Sequence, residues 1–153
     1  MMKENFPIVP AGAGATWVLL GLGVILLGLL ALFGYLAYSS RHVRCEVSSR
    51  ELRIAGDIYG RRIPIEALSL EGAKVIDLGR EEGYRFKWRT NGTGLPGYSA
   101  GWFRLRNGEK ALAFVTDRRR VLYLPTRKGY SILLSVAEPD AMLSALQRAG
   151  DKR

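Results

Sequence analysis

The longest apolar stretch runs from Thr16 to Tyr38, TWVLLGLGVILLGLLALFGYLAY, and contains no charged residue. Its apolar positions occupy every side of a helix, which predicts a segment surrounded by lipid rather than one packed on a core. At 1.5 Å per residue the run spans roughly 34 Å, enough to cross a hydrocarbon layer of ~30 Å with some tilt. Its thirteen Leu, Ile, Val and Phe residues favour insertion by about 4–8 kcal/mol. Trp17 lies near one end, and Tyr35 and Tyr38 near the other, where amphipathic rings suit the two headgroup layers. Pro7, Pro10, Gly12 and Gly14 predict an irregular arm over residues 1–15.

A cleaved export signal is the rival reading, because Ala37 and Ser39 form a small-x-small pair. The run exceeds the usual 7–15 apolar residues of such a signal, and Lys3 is the only basic side chain ahead of it. A retained single-pass anchor over residues 16–38 is therefore expected. Arg41, Arg44, Arg50 and Arg53 follow the run closely, so the positive-inside rule places the N-terminus outside and the rest of the chain in the cytoplasm. Gly14, Gly21 and Gly28 recur every seven residues. They share one helix face, through which a homodimer could form.

After a basic linker at residues 39–42 the hydrophobic period changes. In YRFKWR (84–89), Tyr84, Phe86 and Trp88 alternate with Arg85, Lys87 and Arg89, which predicts a half-buried strand with its aromatics inward. In AGWFRLR (100–106), Phe103 and Leu105 fall on one face, and Trp102, Arg104 and Arg106 on the other. Asn107-Gly108 is a hairpin turn, followed by strands EKALAFVT (109–116), VLYLPT (121–126) and YSILLS (130–135). Earlier, VRCEVSS (43–49) and ELRIAGD (51–57) predict a hairpin around Ser49-Arg50, and RRIPIEAL (61–68) and KVIDL (74–78) predict short strands. Turns every 8–12 residues point to a small sandwich or barrel. The period becomes helical at Pro139–Ala149, with Ser135 and Glu138 spaced as a capping box and Gly150 as a stop. Residues 43–150 thus form one domain, and 151–153 a tail.

Charge adds a partner class. The chain carries 23 Lys+Arg against 14 Asp+Glu, a net charge of +9, and Lys3 and Glu4 cancel before residue 41. The excess belongs to the domain and favours anionic partners, either lipid headgroups or nucleic acid. The single cysteine, Cys45, excludes an intrachain disulfide, and with the single histidine, His42, it cannot build a metal cage. No nucleophile–base–orienter set is visible, so the expectation is a non-enzymatic protein without cofactor or metal. Asn91-Gly92-Thr93 reads as a turn that happens to match a glycosylation sequon.

Short strands followed by one C-terminal helix, together with Leu95-Pro96-Gly97-Tyr98, Gly101-Trp102-Phe103, Asn107-Gly108, Thr116-Asp117, Tyr123-x-Pro125-Thr126 and Gly129-Tyr130, resemble a bacterial pleckstrin-homology (PH) domain family. The resemblance implies a mainly-β, partly open barrel of about seven antiparallel strands capped by the C-terminal helix, carried at the bacterial plasma (inner) membrane. It implies no common activity. Eukaryotic relatives of the fold bind phosphoinositides through a basic-x-basic run on the first hairpin. Here that hairpin has Arg50-Glu51-Leu52-Arg53, so those ligand roles are not carried over.

Three sets of candidate residues remain. Trp17, Tyr35, Tyr38, Arg41 and Arg44 flank the membrane. Arg118, Arg119 and Arg120 in one turn, and Arg127 and Lys128 in the next, are candidate contacts for anionic lipid, set against the plain reading of a solvated charged surface. Successive turns of a meander fall at opposite ends of the strands. Tyr98 and Trp102 are candidates for docking a protein partner, set against a role in completing the core. The leading expectation is a membrane-tethered module that binds an unidentified protein. Sensing of anionic lipids is the alternative, and nucleic-acid binding the weaker third.

Overall fold

The computed structural model describes Pro7, residues 12–41 and residues 43–152. It divides into two compact units, Met1–Tyr38 and Ser39–Arg153. The first is built on helix α1 (Gly14–Arg41). Over Gly14–Tyr38 none of its residues is buried, and it is long and apolar enough to cross a membrane. The helix starts at Gly14, so it takes two residues from the segment expected to be irregular. A Cβ placed on Gly14, Gly21 or Gly28 would meet nothing within 4 Å. Residues 1–6 and 8–11 of the N-terminal arm, and His42, lie outside the described residues.

The second unit begins with a three-stranded antiparallel sheet, β1 (Arg44–Val47), β2 (Glu51–Ala55) and β3 (Arg62–Pro64), in that order. Ser48 closes the first hairpin: its Oγ accepts the Glu51 amide at 3.1 Å. Leu52 and Ile54 point inward while Arg53 faces solvent. The expected strand over 61–68 stops at Pro64, which has no N–H to continue a ladder, and a 3₁₀ turn follows at Ile65–Ala67.

A six-stranded sheet holds β4 (Lys74–Ile76), β5 (Phe86–Leu95), β6 (Tyr98–Leu105), β7 (Lys110–Val115), β8 (Val121–Pro125) and β9 (Ser131–Leu134). Their order is β4-β8-β9-β7-β6-β5. The mainly-β class with a C-terminal helix is therefore present, and its strands form two sheets that do not close into a barrel, in keeping with the partly open arrangement expected. Two details differ from expectation. The described strands number nine rather than about seven. One pair is parallel, because β9 inserts between β7 and β8. Turn residues 117–120 show that the chain reverses, but not which strand it comes to rest beside.

β5 runs straight through Asn91-Gly92-Thr93, expected as a turn. Pairing with β6 decides this: Gly92 faces Gly101, and a Cβ on Gly92 would lie 2.4 Å from the Ala100 carbonyl oxygen. The reversal falls instead before Tyr98, with Gly97 at φ +78°. Register shifts between Phe86 and Trp88, and again between Arg89 and Asn91, break the period-two pattern. Trp88, expected inward, is consequently 53% exposed.

Two apolar clusters hold the unit together. The larger joins Leu52, Ile54 and Ile63 of the small sheet to Leu112, Phe114, Leu122, Leu124, Ile132 and Leu134 of the large one. The smaller includes Leu78, Phe103, Leu105, Val115, Val121, Tyr123 and Leu133, with Tyr84 and Phe86 packed against it. Phe86 stacks on Phe103 at 4.4 Å, and Tyr84 meets Tyr123 edge-on at 4.8 Å. Apolar packing on both faces explains why β7, β8 and β9 are buried almost end to end.

Helix α2 (Pro139–Asp151) packs Leu146 and Ala149 into the larger cluster. Pro139 occupies its first turn, as expected. The capping box is not formed: Glu138 makes no side-chain cap. Ser135 Oγ instead donates to the Asp117 carbonyl at 2.6 Å. Gly150 lies inside the helix, where a Cβ would come within 2.9 Å of Leu70 Cδ1, so it serves close packing rather than a stop.

Candidate functional site

A groove of about 740 Å³ lies between β1 and the start of α2 in the second unit. Tyr98, Phe114 and Leu134 belong to its lining, with Cys45, Val47, Val136 and Met142 beside them. Arg44, Glu46 and Glu138 bring charge to it. β1 is the outer strand of its sheet, so it can offer unpaired backbone groups along one edge. Burial pushes the Cys45 thiol up from an ordinary 9.0 to about 11. It is a neutral apolar surface at physiological pH rather than a nucleophile. Among the described residues no three His, Cys, Asp or Glu side chains come together as a metal site.

Tyr98 is buried, and its hydroxyl donates to the Asp57 carboxylate. Burial, reinforced by that carboxylate, raises the Tyr98 pKa. Asp57 has no sequence signal that links it to Tyr98, since the two belong to different sheets' surroundings. Trp102 is half-buried, with Tyr130 edge-on at 5.1 Å. Two cations lie over its ring, Arg61 at 5.1 Å and Lys110 at 4.5 Å from the centroid. The Asn107-Gly108 hairpin did carry a signal for Lys110, because that turn sets its register.

The two basic turns sit at opposite ends of β8, whose five residues span roughly 16 Å. Arg118, Arg119, Arg120, Arg127 and Lys128 are all exposed. Arg120 is paired with Asp140 of α2, and Asp117 Oδ1 accepts the Arg119 amide at 2.9 Å. The Arg127 amide is held by the Ala67 carbonyl at 2.9 Å. On α1, Trp17, Tyr35 and Tyr38 are exposed. Arg41 closes α1, with its side chain outside the described residues, and Arg44 opens β1 exposed. On the first hairpin Arg53 lies opposite Glu46, with an ion-pair distance of 3.9 Å, so that cation faces a carboxylate of its own sheet.

Residues 43–150 match the bacterial PH domain family along most of the chain. The chain belongs to that family. Comparison with curated proteins and with solved structures gives no match. The bacterial PH domain accounts for both sheets and for α2 up to Gly150, and α1 precedes it. PH domains are generally binding modules without catalytic chemistry. In this one, the groove and the Trp102 corner are two places where apolar surface and charge meet.

Proposed function

We propose that this bacterial PH domain is a non-enzymatic binding and scaffolding module, tethered by α1 to the inner face of the bacterial plasma membrane, where it docks a protein partner. The N-terminus lies outside and the domain in the cytoplasm. The observation that carries the docking reading is the groove beside β1: large, mostly apolar, and edged by an outer strand. Support for the tether comes from the uncharged, all-round apolar surface of α1 over Gly14–Tyr38. Its direction rests on the arginines that follow it.

Photo-crosslinking tests the docking reading in the full chain, in native membranes. A photoreactive side chain at Val47 or Met142 should give one discrete adduct, and one at exposed Ser144 should give none. Absence of adducts from both groove positions overturns the reading. A C-terminal reporter active only in the cytoplasm should be active, and activity of a periplasm-only reporter overturns the orientation.

Sensing of anionic lipid through Arg118–Arg120, Arg127 and Lys128 is the second reading, favoured by the exposure of all five side chains. Their placement at the two ends of β8 weakens it, because a flat surface meeting one turn stands roughly a strand's length from the other.

A further inference from the structure

We propose that the corner of the large sheet around Trp102 recognises an acidic segment of the protein partner, an inference that rests on the binding-module reading. None of its residues lines the groove beside β1. Arg61 and Lys110 both lie over the Trp102 ring, and the β6–β7 register sets Arg104 directly opposite Lys110. Like charges facing each other across a ladder destabilise it. The ion pairs among the described residues use Arg53, Lys74, Arg80, Arg85 and Arg120; Arg61, Arg104 and Lys110 enter none of them.

Local groups orient these cations without neutralising them. Arg104 Nη1 donates to the Gly108 carbonyl at 2.8 Å. Glu109, the neighbour of Lys110, is committed elsewhere: its carboxylate accepts the Tyr123 hydroxyl at 2.9 Å and the Ser131 hydroxyl at 2.8 Å. Two exposed cations therefore lie over a half-buried indole, with a third, Arg104, across the ladder from one of them, and none of the three enters an ion pair among the described residues.

An external carboxylate supplies what is missing. Arg, Trp and Tyr side chains around a semi-desolvated ring are the composition of protein-binding hot spots, and charge-assisted hydrogen bonds strengthen there. A nucleic acid would stack its bases on an open ring, but cations already lie over this one. A bilayer would call for an aromatic free to insert, whereas Trp102 packs against the larger apolar cluster.

The test uses the full chain in neutral detergent micelles and a fluorescein-labelled oligoglutamate peptide, read by anisotropy. Binding should saturate, and Arg104→Gln and Lys110→Gln should each weaken it about tenfold. Arg148→Gln, at an exposed position on α2, should leave it unchanged. The peptide should raise the melting temperature of the parent chain but not of the R104Q/K110Q double variant. Without peptide, Lys110→Gln should melt no lower than the parent, because it relieves the repulsion. Lack of saturation, or equal binding by the variants, overturns the proposal. So does tighter, variant-sensitive binding of oligothymidylate or of phosphatidylglycerol vesicles, which would assign the corner to nucleic acid or to lipid. Because binding is read in micelles, its failure is distinct from failure of the tether, which is read by carbonate extraction of native membranes.

Discussion

The Tyr98 hydroxyl donates its hydrogen bond to the Asp57 carboxylate, joining residues 41 positions apart. Tyr98 opens β6 in the large sheet, and Asp57 follows β2 of the small one. The bond therefore ties the two sheets together beside the core that they share. Tyr98→Phe should cost about 1–2 kcal/mol, because it removes the hydroxyl donor to Oδ2 of a partly buried carboxylate and leaves it only the longer bond from the Tyr59 amide to Oδ1. Asp57→Ala should cost a similar amount, and the double variant less than the sum. Urea unfolding of the four chains checks this; strict additivity would show that the bond contributes nothing.

Alkaline pH should weaken the domain by a known sign. Cys45 and Tyr98 both hold their protons more tightly when folded. A raised folded pKa gives stability that is fully present below the unfolded value and lost as pH rises through the folded one. For Cys45 the loss runs from about pH 9 to about 11, and for Tyr98 it begins near pH 10. Melting temperature should be flat in this respect around neutrality and fall above pH 9. Iodoacetamide should label Cys45 slowly at pH 8 and at the ordinary thiol rate in urea. Equal rates in both would refute the burial of this thiol.

Gly101 and Gly97 separate crowding from backbone strain. Both have positive φ, +113° and +78°. A Cβ on Gly101 would lie 2.5 Å from Gly92 Cα, whereas one on Gly97 meets nothing. Gly97→Ala should cost about 1 kcal/mol from conformation alone. Gly101→Ala should cost more than ~2 kcal/mol, because backbone must shift as well. The order of the two urea midpoints is the measurement.

The tether has its own prediction. A charged residue at the centre of a spanning helix costs about 2.5–3.5 kcal/mol of insertion. Leu26→Arg should therefore shift the chain from the carbonate-resistant membrane fraction toward the extractable one. Arg148→Ala on α2, an exposed position, should leave the distribution unchanged. Unaltered fractionation of Leu26→Arg would argue against a spanning α1.

Local patterns carried most of the element list. Alternation around Phe103 and Leu105, the Asn107-Gly108 turn and the helical period after Pro139 each depend on neighbours within a few residues, and each appears where it was expected. Trp88 fails for a physical reason: two register shifts in β5 change which side of the strand each residue takes, and only the pairing partner reveals them. Asn91–Thr93 looks like a turn by composition, yet the close approach of Gly92 and Gly101 turns it into strand. The docking candidates divide in the same way. Tyr98 is engaged by Asp57 within the fold, and Trp102 carries cations that arrive from β3's approach and from β7.

By itself the sequence determined the apolar helix, the run of short strands, the terminal helix and the family to which the domain belongs. These follow from hydrophobic period, turn chemistry and a string of matching residues, all of them local. Only the tertiary structure decided that β9 lies between β7 and β8, that β5 runs on through Asn91–Thr93, and that Arg61 and Lys110 meet over Trp102. Those outcomes depend on pairing between segments distant in sequence, where the burial of both faces of the central strands selects one arrangement from many that the same local pattern permits.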